Sequence, residues 1–238
     1  MKVLKLATFI LSLTFFSCSP AELQQVLGSV LENDAITQGE ASTGLKEALK
    51  IGISKGTEQL SAVNGYFNSP YKILLPPEAR KITDRLQKVP GFNQIENILL
   101  EKINRGAEDA AKKAKPIFVD AIRQMTFEDA MQILLGRDNA ATAYLNNKTN
   151  ANLYQAFNPV IIESLDKFNA RKYWSDAVKV YNQIPFTEKA NPSLEDYVTT
   201  QALNGLFSMV EKEELNIRKN VSARTSDLLR KVFAKQDK

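Results

Sequence analysis

The side chains in this sequence with chemistry to offer are a few acids, a few arginines and one cysteine. Glu211, Glu213 and Glu214 fall within one helical turn, and Glu128, Asp129 and Asp138 lie close along the chain. Paired carboxylates bind calcium or manganese, or act as acid and base in hydrolysis. Arg137 and Asp138 stand beside Gly136, where Arg137 would hold an anion against a helix start and Asp138 would cap that helix. Arg218 and Arg224 flank Asn220 and would clamp a carboxylate or phosphate. Each pattern has a simpler use. On a helix Glu213 and Glu214 diverge by about 100°, and Glu214 has Arg218 four residues on as an ion-pair partner. Glu128 and Asp129 suit the first turn of a helix, where negative charge meets the dipole. Arg218 and Arg224 equally suit the ordering of the last helix against the body. No spacing among these residues is that of a metal site, so no metal and no cofactor is expected.

The chain has no histidine and a single cysteine among 238 residues. That closes the usual general base at neutral pH, every Ser-His-Asp or Cys-His arrangement, nearly all catalytic zinc sites, and any internal disulfide. Cys18 stands at the end of a stretch that reads as a processing signal. Lys2 and Lys5 are followed by an apolar run from Leu6 to Phe16, then Ser17 and Cys18. The run holds about 11 residues, roughly half of what a membrane-spanning helix needs. Phe15-Phe16-Ser17-Cys18 resembles a bacterial lipobox, whose cysteine receives diacylglycerol and becomes the mature N-terminus. Residues 1–17 are therefore expected to be a lipoprotein-type signal peptide, Cys18 the lipid attachment site, and 18–40 a tether with a short helix on Leu23, Val26, Leu27, Val30 and Leu31. Ser19 in place of an aspartate resembles signals sent on to the outer membrane. Cleavage removes two lysines and lowers the net charge from +4 to about +2. With so small a surplus, nucleic acid is not expected as a partner.

The rest of the chain must position these groups, and its period is helical. From Gly44 the residues Leu45, Leu49, Ile53, Leu60 and Val63 make one apolar face, on which Gly52 and Gly56 would let another helix approach closely. Asn64-Gly65 ends it. A short helix after Pro76-Pro77 runs to about Lys88. Gln94 to Lys115 reads as one long helix with Ile95, Ile98, Leu99 and Ile103 inward and with acid-first pairs Glu101/Arg105, Glu108/Lys112 and Asp109/Lys113. Pro116 forces a kink or restart. Thr126 and Asp129 form a capping-box start for a helix to Leu135, stopped by Gly136. Helices are expected over 139–145, 153–168 and 173–184, followed by a long one after Asn191-Pro192 and a last one around Leu228 to Phe233. Nothing alternates with period two for long enough to make a sheet. The fold expected is all-α, one bundle-like domain over 41–235.

Several clusters in that domain resemble a family of bacterial envelope proteins known as the domain of unknown function 4197. They include Gly44 to Leu49, Gly65-Tyr66, Ile73 to Pro76, Asn104 with Ala107-Glu108, Phe127 to Ala130, Ala140 to Thr142 and Tyr144. The likeness resumes at Ala202-Leu203, Gly205 to Phe207, Glu213-Glu214, Ile217-Arg218, Arg224-Thr225 and Leu228-Leu229. Val221 stands where the family often has proline, and Asn204 where it has an acid. The resemblance implies a helical, often lipid-anchored envelope protein and carries over no activity.

The largest break in helical period is Tyr66 to Pro76, which is too apolar to lie in water and must cover a core or meet a partner. Tyr66, Phe67, Tyr71 and Leu74 are the expected contacts there, with Arg137, Asp138, Arg218 and Arg224 as further candidates. The expected function is a non-catalytic, lipid-anchored scaffold or interaction subunit facing the periplasm from the outer membrane, in a setting such as an assembly or export complex. Its partners would be the membrane, through the lipid, and another envelope protein. The alternatives are a binding protein for a lipid or other apolar ligand, enclosed between helices, and a carboxylate or divalent-metal hydrolase built on Glu128, Asp129, Asp138, Glu213 and Glu214.

Overall fold

The first helix, α1 (Gln38–Ser61), buries Ala41, Leu45, Ala48, Leu49, Ile53 and Leu60 along one stripe. It starts inside the stretch expected to be tether. In the computed structural model the described residues are 37–234 apart from 87–94, 168, 184, 187 and 192. Cys18, the signal segment and the short tether helix lie outside them. Helices follow as α2 (Pro77–Leu86), α3 (Ile95–Ala111), α4 (Ala114–Gln124), α5 (Phe127–Leu135), α6 (Ala140–Asp166), α7 (Ala170–Tyr181), α8 (Leu194–Lys219) and α9 (Asp227–Phe233). Among the described residues there is no strand, so the domain is all-α as its sequence period predicts. No helix among them is long and apolar enough to cross a membrane.

α6 is the axis of the bundle and packs against α3, α8 and α4. Its buried face is Ala141, Leu145, Thr149, Leu153, Phe157, Ile161 and Leu165, an unbroken helical stripe. The sequence suggests two helices here, because Asn146 to Asn152 is rich in weak helix formers. Burial of Leu145, Thr149 and Leu153 on one side overrides that propensity. Pro159 sits inside α6 on the exposed side, where water can take the carbonyl it leaves unpaired.

The expected helix from Gln94 to Lys115 divides instead at Lys112 and Lys113. Pro116 then falls in the first turn of α4, where its missing N–H costs nothing. Ile98 and Val63, read as inward, are exposed. Gly52 and Gly56 do face α8: a Cβ on Gly56 would lie 3.0 Å from Met209 Cγ. Beyond Ser61, Asn64 takes the left-handed conformation, with φ 70°. At Gly65 any side chain is excluded, since a Cβ would lie 2.4 Å from the carbonyl oxygens of Gln59 and Leu60.

Candidate interaction site

The loop from Tyr66 to Pro76 is fastened to the bundle by buried polar groups. Glu108 of α3, expected to pair outward with Lys112, instead turns inward. Its Oε1 accepts from the backbone N–H of Tyr66 (3.2 Å) and of Phe67 (3.1 Å), and its Oε2 pairs with Arg105 (2.8 Å). Asn104, one helical turn earlier, accepts from the N–H of Ile73 (2.8 Å) and donates to its carbonyl (2.9 Å). The amide thus pairs with the loop as a neighbouring strand would. Asn104 is marked in the sequence by the family resemblance, but its role as a loop clamp is not, because a polar residue on an apolar helix face does not name its partner. Tyr66 donates its hydroxyl to the carbonyl of Ala202 in α8 (2.8 Å). Burial, with the charge of Glu108 adding, pushes its phenol far up in pKa and keeps the donor protonated. Gly205 admits the ring, because a Cβ there would lie 2.9 Å from Tyr66 Cε1.

Tyr66 is therefore a core residue rather than a surface contact, and Ile73 and Leu75 are buried with it. The expected contacts that reach the surface are Phe67, Tyr71 and Leu74. Phe67 lies between Lys72 Nζ (4.7 Å) and Arg105 Cζ (5.2 Å). Tyr71 is half-buried, its hydroxyl 3.7 Å from Met209 Sδ. Leu74 is 48% exposed, and its carbonyl accepts from the hydroxyl of Tyr197 (3.1 Å). Together with Tyr197, Gln201, Asn204 and Ser208 of α8 the loop edge borders a cleft of about 360 Å³. The α8 residues were missed by sequence because a polar stripe on a long helix reads as ordinary solvated surface.

At the α5/α6 junction the structure corrects two expectations. Asp138 does not cap α6; it is exposed and pairs with Lys219 (3.1 Å). The cap is Glu214, which reaches across from α8. Its Oε1 accepts from the N–H of Ala141 (2.9 Å), and its Oε2 from the N–H (2.8 Å) and hydroxyl (2.8 Å) of Thr142. The anion at this helix start is thus supplied by the protein itself, and Arg137 stays on the surface. Arg218 pairs with Glu214 (2.9 Å) and donates to the carbonyls of Ile133 (2.8 Å) and Leu134 (3.4 Å) at the end of α5. One ion pair joins the C-terminus of one helix to the N-terminus of the next, each charge at the pole that favours it. Arg224 is buried too, donating to the carbonyls of Ile217 (3.0 Å) and Arg218 (2.9 Å) at the end of α8. Neither arginine presents an open clamp, because their donors are spent on helix ends.

The remaining acids disperse. Glu213 points to α1 and pairs with Lys55 (2.9 Å), Glu211 meets Asn139 (3.3 Å), and Glu128 is exposed. Asp129 completes the capping box with Thr126. The Thr126 backbone N–H, then its hydroxyl and that of Tyr144, hold its carboxyl below the ordinary range. No group of three or more acids, cysteines or histidines among the described residues could hold a metal ion. The space beside Glu214, lined by Leu45, Leu49, Ile217 and Phe233, is about 10 Å³, room for one water at most.

A family model described as "Protein of unknown function (DUF4197)" matches residues 35–234. The chain belongs to this family. No curated protein and no solved structure matches it. Much of the sequence likeness to DUF4197 falls on the fastenings just described: Gly65-Tyr66, Asn104, Glu108, Glu214, Arg218 and Arg224.

Proposed function

We propose that this DUF4197 protein is a non-catalytic, lipid-anchored envelope protein that serves as a helical interaction subunit at the outer membrane, docking an envelope protein through the Tyr66–Pro76 loop. The observation that carries the reading is the way this loop is built. Glu108, Asn104 and the Tyr66 hydroxyl fix it from inside, while Tyr71, Lys72 and Leu74 line an open cleft with α8. A surface already ordered before contact loses little entropy on binding. Of the acids a hydrolase would need, Asp138 and Glu213 are paired with lysines and Glu214 with backbone amides and Arg218, which also favours contact over catalysis.

The test is crosslinking in cells with Cys18 intact, using a photoreactive residue at position 71, which lines the same cleft, followed by mass spectrometry of the adduct. The expected result is one envelope protein crosslinked at the loop, lost in Lys72→Glu/Leu74→Glu while the circular dichroism spectrum is unchanged. A chain that crosslinks to nothing, or equally well in the double variant, would overturn the assignment.

A further inference from the structure

A second groove, away from the loop, lies between α4 and α6 beneath the start of α5, with a volume of about 400 Å³. Its walls are helix faces, so the side chains are set by regular spacing: Ile117, Asp120, Ala121 and Gln124 on α4, and Tyr144, Lys148 and Asn152 on α6. Asp129 closes one end.

The hydrogen-bonding capacity of this groove is largely unspent. The side-chain amides of Gln124 and Asn152 bond to no other described residue. Asp129 takes its bonds from Thr126 and Tyr144 on Oδ2, which leaves Oδ1 open. The Tyr144 hydroxyl donates to Asp129 (3.3 Å), so its own lone pairs remain to accept. Lys148 Nζ hangs 5.7 Å from the centre of the Tyr144 ring. The groove therefore offers both donors and acceptors beside the apolar side chains of Ile117 and Ala121.

That mixture selects a class of ligand. A phosphate or dicarboxylate would meet Asp120 and Asp129, and a polyamine would meet Lys148. A purely apolar molecule would strand the amides without partners. A hydroxyl group both donates and accepts, so a row of hydroxyls satisfies amide, carboxylate, phenol and ammonium together, while the C–H face of a ring rests on Ile117 and Ala121. We propose that the α4/α6 groove is a binding site for a neutral saccharide. It is independent of the interaction role assigned to the Tyr66–Pro76 loop.

Saturation-transfer NMR on the full-length chain tests this, in a detergent without a sugar headgroup. The probes are chitotetraose, cellotetraose and mannotetraose, with spermidine and glutarate as charged comparators. At least one tetrasaccharide should receive saturation, and Gln124→Ala/Asn152→Ala should weaken its binding about 25-fold, about fivefold for each lost amide. Since neither amide holds the fold together, the double variant should melt where the parent does. Three silent saccharides, transfer undiminished in the double variant, or transfer to a charged comparator alone would each overturn the proposal.

Discussion

Replacing Glu214 by alanine is the sharpest perturbation available in this molecule. Its carboxylate is 4% exposed and faces an Arg218 side chain that is 3% exposed. Removing it strands a buried guanidinium, a change that costs about 3–5 kcal/mol in comparable pairs. It also uncaps α6, whose Ala141 and Thr142 N–H groups lose their acceptor. A loss of about 4 kcal/mol is a large part of the 5–15 kcal/mol that holds a typical domain together. With a denaturant slope of about 2 kcal/mol per molar, the urea midpoint should fall by about 2 M. Arg218→Met should cost less, about 2 kcal/mol, because Glu214 would keep three hydrogen bonds and a helix N-terminus. The pair of changes together should cost less than their sum by about 2 kcal/mol. Urea titration followed by circular dichroism and by Trp174, the one tryptophan, reads all three variants. A midpoint shift below about 0.5 M for Glu214→Ala, or strict additivity in the double variant, would show that the pair does not link α5 to α6 as described.

The other consequences are smaller. Glu108→Gln should cost about 2 kcal/mol and speed hydrogen exchange at the Tyr66 and Phe67 amides, whereas exchange left unchanged would mean that the loop holds without this clamp. Gly205→Ala should cost about 1–2 kcal/mol by pushing on the Tyr66 ring, measurable as a lower melting temperature. Thr126→Ala should remove about 1 kcal/mol of cap and return the Asp129 carboxyl toward its ordinary pKa, as followed by NMR titration. Because that pKa is lowered in the folded chain, the parent keeps this stabilisation above the ordinary carboxylate range and loses it as pH falls through the lowered value. Cys18→Ser should leave an unprocessed chain that takes up no labelled palmitate, and membrane-bound, labelled protein would count against the anchor.

Helical period alone carried most of the fold, because a stripe such as Leu45, Leu49 and Ile53 survives whatever packs against it. The capping box at Thr126 and Asp129 was readable for the same reason: donor and acceptor lie three residues apart in one segment. The Glu214–Arg218 pair was equally local. What failed were assignments whose deciding partner lies far along the chain. Asp138 was the nearest acid to the start of α6, yet an acid 73 residues from Ala141 reaches it. Glu108 has Lys112 four positions on and turns instead to amides 42 and 41 residues back. Tyr66 reads as a loop aromatic because the space that receives it is created by Gly205, on the same helix as Ala202, which accepts the Tyr66 hydroxyl from 136 residues along the chain.

These long-range partners bear on what the acids can do. A carboxylate abstracts a proton or binds a metal through lone pairs that are free when the ligand arrives. Glu214 accepts from two backbone amides, a hydroxyl and a guanidinium, and Glu108 from two amides and a guanidinium. Freeing either would leave buried donors unsatisfied, each at about 1–3 kcal/mol. Such groups are suited to fixing segments in place. Glu108 fixes the Tyr66–Pro76 loop, Glu214 fixes the turn between α5 and α6, and charges open to a ligand lie on the surface instead, Lys72, Asp129 and Lys148 among them. If the protein acts on anything, it is therefore through the rigid surfaces that its buried charges hold, which is why the loop cleft and the α4/α6 groove are the places to probe.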